Sequence, residues 1–341
     1  QLKNKKFIAI DKNIHTQKNH IFGFWNMPWT KELARHSHKK WNTWSIISQD
    51  DEINFYSEKH KYEILYLDKW KNESLKSERD LVICQNNVRT IHKKNKIFEI
   101  TLDNDDVCYA HNIIDSRSKK LDRKYLKQHF LGQTIKVKND IFDENKLVLM
   151  DFRVDQSKGI HFIYLVPFSK NKALIESTMF SFNEENNEWY IKAIENYLYK
   201  FYNLTEWTIL DEEKGSIPMT LIDGPKNDFI NIGTMSGAMK PSSGYAMSFI
   251  QKQIFDLFQN DLTINKNNTN PHKKIDLWMD KIFLKVLAAD SNMAIDIFIK
   301  LGKILNGDEF ALFMSGQANM LIRLKIVFKM PKKPFLKVLF H

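Results

Sequence analysis

Several protein classes are set aside by what this chain has little of. Its 341 residues hold two cysteines, Cys84 and Cys108, and their separation fits neither a zinc nor a redox motif. They read as two buried thiols in a reducing compartment. No stretch of about 18 apolar residues occurs, so no membrane-spanning helix is expected. No signal-peptide pattern is expected either. The formal charge of +10 comes without zinc spacing, a ribonucleoprotein motif or a recognition-helix pattern, which argues against nucleic acid as the partner. His36 and His38 lack a cysteine or carboxylate at ligand spacing and sit among Lys31, Arg35, Lys39 and Lys40, a solvated face rather than a metal site. No internal repeat is visible. Acidic residues are missing from residues 310–341, where Arg323, Lys325, Lys329, Lys332, Lys333 and Lys337 alternate with Leu, Ile, Val and Phe. Two readings of that tail stay open. One is docking on anionic lipid heads, with Phe335, Leu336 and Phe340 inserted; the other is a helix packed on the body with a lysine-rich outer face.

With 43% apolar and 13% aromatic residues, the chain can bury a large core in two layered domains. The most informative stretch is residues 230–245, where a short apolar strand enters a turn with Gly233, Gly237 and Gly244 and then opens a helix. Glycines let the backbone approach a bulky ligand, and the first amides of a helix offer unpaired donors to anionic oxygens. The same pattern fits an ordinary turn before a helix capped by Ser242 or Ser243. Residues 6–12 read as a buried parallel strand ending in Asp11, and residues 110–117 as a second strand ending in Asp115-Ser116-Arg117. Residues 213–220 read as a turn and a short strand. Segments 130–137, 147–152, 161–168 and 173–180 alternate in strand fashion, with 169–172 as a hairpin turn. Residues 189–201 read as an amphipathic helix. A polar loop at 265–270 precedes a helix that carries Ile275, Trp278, Ile282, Phe283, Val286 and Leu287 at helical spacing.

Glu176 interrupts an otherwise apolar strand of Ala173, Leu174, Ile175 and Met179. A four-residue hairpin loop would set it opposite Leu165. Burial would raise its pKa and keep a proton on it near neutrality, as a general acid requires. A glutamate on the wet face of a half-exposed strand is the alternative. Asp151 and Arg153 follow the apolar run 147–150 and read either as a pair that positions the acid or gates a tunnel, or as a salt bridge closing the sheet edge.

Together these segments resemble the lycopene cyclase family of flavoproteins. The resemblance is carried by Met150-Asp151-Phe152-Arg153, residues 162–168, Leu174-Ile175-Glu176-Ser177-Thr178, Gly215-Ser216-Ile217-Pro218-Met219 and Gly233 through Tyr245. Asn19-His20, Phe24-Trp25, residues 114–117 and 330–336 also fit, so it spans nearly the whole chain in the expected order. It implies an α/β fold of the flavin hydroxylase type, in which a Rossmann-like FAD-binding domain interleaves with a mixed or antiparallel β-sheet substrate domain. A helical C-terminal region follows. Residues 1–48, 80–125 and 221–262 fall to the FAD-binding domain, 49–79 and 126–220 to the substrate domain, and 263–341 to the helical region. The resemblance implies reduced FAD with NAD(P)H as reductant. Asp11, Asp115, Arg117, Gly233, Gly237, Pro241, Ser243, Gly244 and Tyr245 would bind the cofactor. One feature departs from the family, whose strand, G-x-G-x-x-G turn and helix should stand before the acid matched by Asp11, which here has ten residues ahead of it. An N-terminal βα unit is therefore expected to be missing from this sequence, with weak FAD binding as the consequence.

The reaction so implied is an isomerisation of lycopene or a related polyene. Glu176, at the family's essential acid position, protonates a terminal alkene, the neighbouring double bond closes on the cation, and loss of another proton leaves a β-ionone ring. Water has to be kept out of such a site. Phe22, Phe24, Trp25, Trp29 and Tyr245 are candidates to line the tunnel and face the cation. The expected setting is cytoplasmic, with peripheral membrane contact. Another FAD-dependent isoprenoid or aromatic oxidoreductase of the same fold, or a non-catalytic lipid-associated remnant, are the alternatives.

Overall fold

A computed structural model describes residues 6–15, 20–77, 81–117, 121, 124–225, 227–259, 270–289 and 291–339. The expectations at Asn19, Phe340 and residues 265–269 lie outside them. The largest sheet has seven strands in the order Thr208–Met219, Leu126–Lys136, Lys172–Ser181, Ile160–Ser169, Lys146–Asp151, Thr43–Ile47 and Glu52–Tyr56. Neighbours run antiparallel except Lys146–Asp151 beside Thr43–Ile47, which are parallel. Both faces of its middle are covered, which is why Lys172–Ser181 is buried almost end to end. On one face the helix Asn187–Tyr202 sets Tyr190, Ile194, Tyr197 and Leu198 against Leu131, Ile163, Ile175 and Met179. Each such side chain, fully buried, contributes about 1.5–3 kcal/mol. Asn186 caps this helix by accepting from the Trp189 amide at 2.9 Å, and Asn203 closes it in the left-handed conformation at φ 50°.

The other face carries Leu147, Leu149, Phe162, Leu174 and Phe180, covered by the helices Lys274–Ala289, Ser291–Ile304, Gly307–Met314 and Met320–Lys329. The candidate site lies in this layer. A three-stranded sheet of Ile21–Trp25, Tyr62–Tyr66 and Lys39–Trp41 forms its side wall. The expected division at residue 48 cuts through a hairpin, since Thr43–Ile47 pairs with Glu52–Tyr56 inside the large sheet.

Two short parallel pairs stand apart from these sheets, Phe7–Ile10 with Leu81–Cys84 and Ile114–Asp115 with Ile230–Asn231. Four expectations change here. The first strand is not buried, because it pairs with a strand that is itself exposed, and Phe7 and Ile8 stand 39% and 50% exposed. Residues 110–117 are split, since Val107–Ala110 joins an antiparallel sheet with Ile97–Leu102 while Ile114–Asp115 runs beside the glycine turn. Residues 213–219 end a strand of 12 residues rather than forming a short one of their own. Cys84 and Cys108 are half-buried rather than buried. No described helix is long and apolar enough to cross a membrane.

Candidate active site

A cavity of about 690 Å³ opens between the large sheet and the C-terminal helices. Its walls are mainly apolar, with Leu149, Phe162, Leu174, Phe180, Ile297 and Phe313 among them. Glu176 lines it from the Lys172–Ser181 strand. Alternation along that strand sends Leu174, Glu176 and Phe180 to the cavity, and Ile175 and Met179 to the helix Asn187–Tyr202. The register differs from expectation by one residue. Glu176 faces Tyr164, and Leu165 faces Ile175. The hairpin is tight, with Ser169 opposite Lys172, and an irregularity between Pro167 and Ser169 shifts every pair beyond it.

Burial is the main force on Glu176 and pushes its pKa up to about 8, with the nearby Glu213 carboxylate adding to the rise. The Thr178 hydroxyl donates to Glu176 Oε1 at 2.5 Å and opposes the shift only in part. Glu176 therefore carries its proton at neutral pH. Beside it the Tyr62 hydroxyl bonds those of Tyr164 at 3.0 Å and Tyr245 at 3.1 Å. Burial raises the pKa of all three well above that of an exposed tyrosine, so they stay neutral. Gly23 leaves room for this cluster, since a Cβ on it would stand 2.1 Å from the Tyr62 hydroxyl.

The glycine turn forms another wall. Gly233, Gly237 and Gly244 have φ of 86°, 85° and 71°, values that disfavour a side chain. Ser243, Gly244 and Tyr245 line the cavity, as does the first residue of the helix Met247–Gln259. The Ser243 hydroxyl is buried without a hydrogen-bond partner. A Cβ on Gly233 would meet nothing nearer than Ser116 at 3.9 Å, an ordinary contact. An unsatisfied hydroxyl, a helix start and a turn with no side chain in the way fit a flat polar cofactor at this wall. Pro241 lies inside the turn, buried. Arg117 donates to both Asp115 oxygens at 2.9 and 2.8 Å and to the Val88 carbonyl at 3.1 Å, next to the turn. Asp11 is held at the end of its parallel pair, its amide on the Cys84 carbonyl at 3.1 Å and its carboxylate accepting from the Asn13 amide at 2.7 Å.

Other expected residues are placed elsewhere. Asp151 and Arg153 do not reach the cavity. A bulge between Val148 and Met150 puts both Leu149 and Met150 on the cavity face and turns Asp151 to the other side. There its carboxylate accepts from Arg153 Nε at 2.9 Å, Arg153 Nη2 at 2.6 Å and the Tyr197 hydroxyl at 2.8 Å. Of the four aromatic side chains expected in the tunnel besides Tyr245, Phe22 is part of the lining. Phe24 packs with Leu33, Leu65 and Met247 in a separate small core. Trp25 stands behind Tyr62 and Tyr245, with ring centroids 4.8 and 5.2 Å away. Trp29 donates from Nε1 to Ser248 at 3.1 Å.

Sequence reasoning passed over Tyr62, Tyr164, Glu213 and the buried ion pair of Lys240 with Asp280, 2.7 Å apart at the cavity wall. Tyr164 and Glu213 stood inside segments already singled out, but the expected register set Leu165 rather than Tyr164 beside Glu176. Tyr62 and Asp280 come from distant parts of the chain and carried no local signal.

The fold is that of several solved flavoproteins and relatives at low sequence identity. A geranylgeranyl bacteriochlorophyll reductase-like protein from Thermoplasma acidophilum is 10% identical, with TM-score 0.57, over 98% of this chain and 92% of that one. A flavoprotein/dehydrogenase from Cytophaga hutchinsonii is 10% identical, with TM-score 0.58 and the same coverage of 98% and 92%. HpxO of Klebsiella pneumoniae, solved with FAD and uric acid, is 7% identical with TM-score 0.59, over 93% and 97%. A chloroplastic neoxanthin synthase of Solanum tuberosum is 29% identical over 130 residues, 34% of this chain and 26% of that protein, so the match spans about a quarter of the relative's length. The family described as lycopene cyclase protein matches residues 6–339, which takes in the acid strand, the glycine turn and the helices that close the cavity, and the chain belongs to that family.

Proposed function

We propose that the chain is a lycopene cyclase that closes the linear ends of lycopene or a related polyene into β-ionone rings, without net redox change. The observation that carries this reading is a buried carboxyl, Glu176, set in the wall of an apolar cavity, where burial favours its protonated form. A hydrocarbon substrate offers no polar handle, so shape and dispersion have to hold it, and the lining supplies both. Glu176 delivers a proton to the terminal alkene. The cation that follows meets aromatic faces of Phe162, Phe310 and Tyr245 rather than water. Ser243, Gly244, Tyr245 and the start of the helix Met247–Gln259 would hold FAD, with Asp115 and Arg117 beside the turn. Bound in reduced form, with NAD(P)H as its reductant, FAD supplies an electron-rich ring next to the developing cation. The basic C-terminal helices rest peripherally on a membrane, from which the substrate enters.

The test is Glu176→Gln in the FAD-loaded chain, supplied with lycopene and a reductant, with pigments separated by chromatography. Lycopene should remain uncyclised, at least about 10²-fold slower than in the parent, while flavin fluorescence shows unchanged binding. β-Carotene formed at the parent rate would remove Glu176 from the acid role. Stoichiometric consumption of NAD(P)H would instead support an oxidoreductase of the same fold.

A further inference from the structure

Isomerisation returns one proton for every proton it uses, so the site needs a base as well as an acid, and the base need not be the spent carboxylate of Glu176 itself. Glu213 is a carboxylate neighbour of Glu176 on its own face of the sheet. Gly132, on the strand between them, pairs with Glu176 on one side and with Glu213 on the other. Register partners share a face, and both glutamates line the cavity. Neighbouring strands lie about 4.8 Å apart, so the two backbones are separated by roughly 10 Å with a glycine between. A Cβ on Gly132 would stand 3.0 Å from Leu174 Cδ1 and 3.4 Å from Glu176 Cβ. Its absence leaves the gap across which two long acid side chains can lean together.

The two carboxyls are in unlike surroundings. Glu176 is bonded by one neutral hydroxyl. Glu213 Oε2 accepts from the Ile21 amide at 3.3 Å and lies 3.4 Å from His20 Nδ1. The His20 side chain is 34% exposed and the Glu213 side chain 12%, so this end of the pair touches solvent. One carboxyl enclosed by apolar side chains and one at the wet edge of the same wall suit the two halves of a proton relay.

We infer that Glu213 is the partner base of Glu176, taking up the proton that ring closure releases and handing it back to the acid. The inference rests on the cyclase reading above. In the first step the Glu176 O–H bond breaks and a C–H bond forms at the terminal alkene. The electron pair of the neighbouring double bond then forms the ring C–C bond, which moves the positive charge into the ring. A C–H bond beside that centre breaks, its electron pair becomes the new ring double bond, and the proton passes to the Glu213 carboxylate. Transfer from Glu213 to Glu176 across the Gly132 gap resets the site. His20 links the pair to solvent. No oxidant or reductant is consumed.

E213Q and E213D in the FAD-loaded chain, assayed with lycopene beside E176Q, test this. E213Q should close rings about 10²-fold more slowly, and E213D should recover part of the rate, because it keeps a base at a longer reach. A second readout needs no substrate. The infrared band of the protonated Glu176 carboxyl, assigned by its loss in E176Q, should titrate at least about one pH unit lower in E213Q, since a neighbouring negative charge has gone. The charged and titratable groups lining the cavity around this pair are His20, Tyr62, Tyr164, Tyr245, Lys214 and the Lys240–Asp280 ion pair, all of which every variant keeps. Parent-rate ring closure by E213Q, with E176Q inactive, overturns this inference alone. An unshifted Glu176 titration in E213Q overturns the pairing. Ring closure by E176Q overturns the cyclase acid and this inference with it.

Discussion

At the scale of single residues, the cavity holds a carboxyl whose proton is a stability term as well as, on the proposed reading, a catalytic one. The pKa of Glu176 rises in the fold from an ordinary 4.5 to about 8. The sign follows from which state binds the proton more tightly. The folded chain does, so the contribution is fully present below about pH 4.5 and is lost as pH climbs towards about 8. A melting series across that window should show the parent losing stability with rising pH, and Glu176→Gln losing distinctly less. A variant that follows the parent curve would mean that Glu176 is ionised in the fold. On the proposed reading the same proton should set the alkaline limb of ring closure, which a pH–rate profile would show falling above about pH 8 as the acid empties.

Elements decide which of the charged residues can meet. Two irregularities in the large sheet control this, one between Pro167 and Ser169 and one between Val148 and Met150. The first sets Glu176 opposite Tyr164, and the second turns Asp151 away from the cavity and under the helix Asn187–Tyr202. Asp151 is fully buried and Arg153 lies 4.0 Å over the Phe201 ring, so the pair fastens helix to sheet. Arg153→Ala leaves that carboxylate short of its partner and should cost about 3 kcal/mol in denaturant titrations, while ring closure per folded molecule stays near the parent value. A selective loss of activity without loss of stability would return Arg153 to the site. These two bulges also explain what was legible in the sequence. The segments around residues 130–137, 147–152, 161–168, 173–180 and 189–201 all fold as their periodicity reads, because alternation and helical spacing are local. That Glu176 matches the family's acid position was legible from the resemblance, its strand alone leaving a wet face open. The face taken by Asp151 was not, since one extra residue in a strand reverses everything after it and leaves no compositional trace. Neither was Glu213, whose significance depends on Gly132 standing between two strands more than 30 residues apart.

For the molecule as a whole, the proposed reading asks how a hydrocarbon reaches the apolar cavity. The cavity opens beside Trp278, Val327, Lys332 and Leu336, and Trp278 and Leu336 are 52% and 49% exposed. Next to that mouth the helix Met320–Lys329 turns Met320, Leu321, Leu324, Val327 and Phe328 to solvent, a continuous stripe at helical spacing. The exposed stripe thus lies one helix earlier than Phe335, which packs against the core. Arg323 from the same helix is buried on Asp276 at 2.8 and 2.9 Å, so the other side of the helix is fixed to the body. Around the stripe stand Lys329, Lys332, Lys333 and Lys337, exposed and without an acid among residues 310–341. Apolar insertion ringed by lysine matches an anionic bilayer surface, where each basic residue contributes about 1 kcal/mol and each buried methylene about 0.8 kcal/mol. Leu321→Glu combined with Phe328→Glu should abolish sedimentation of the full chain with vesicles of mixed neutral and anionic lipid, and leave its melting temperature unchanged. Raising salt should weaken parent binding by screening the lysines without removing the apolar part. Ring closure should then fall for lycopene presented in vesicles and persist for lycopene in detergent micelles. Equal loss in both media would place the defect inside the cavity, and unchanged vesicle binding would remove this face as the route of entry.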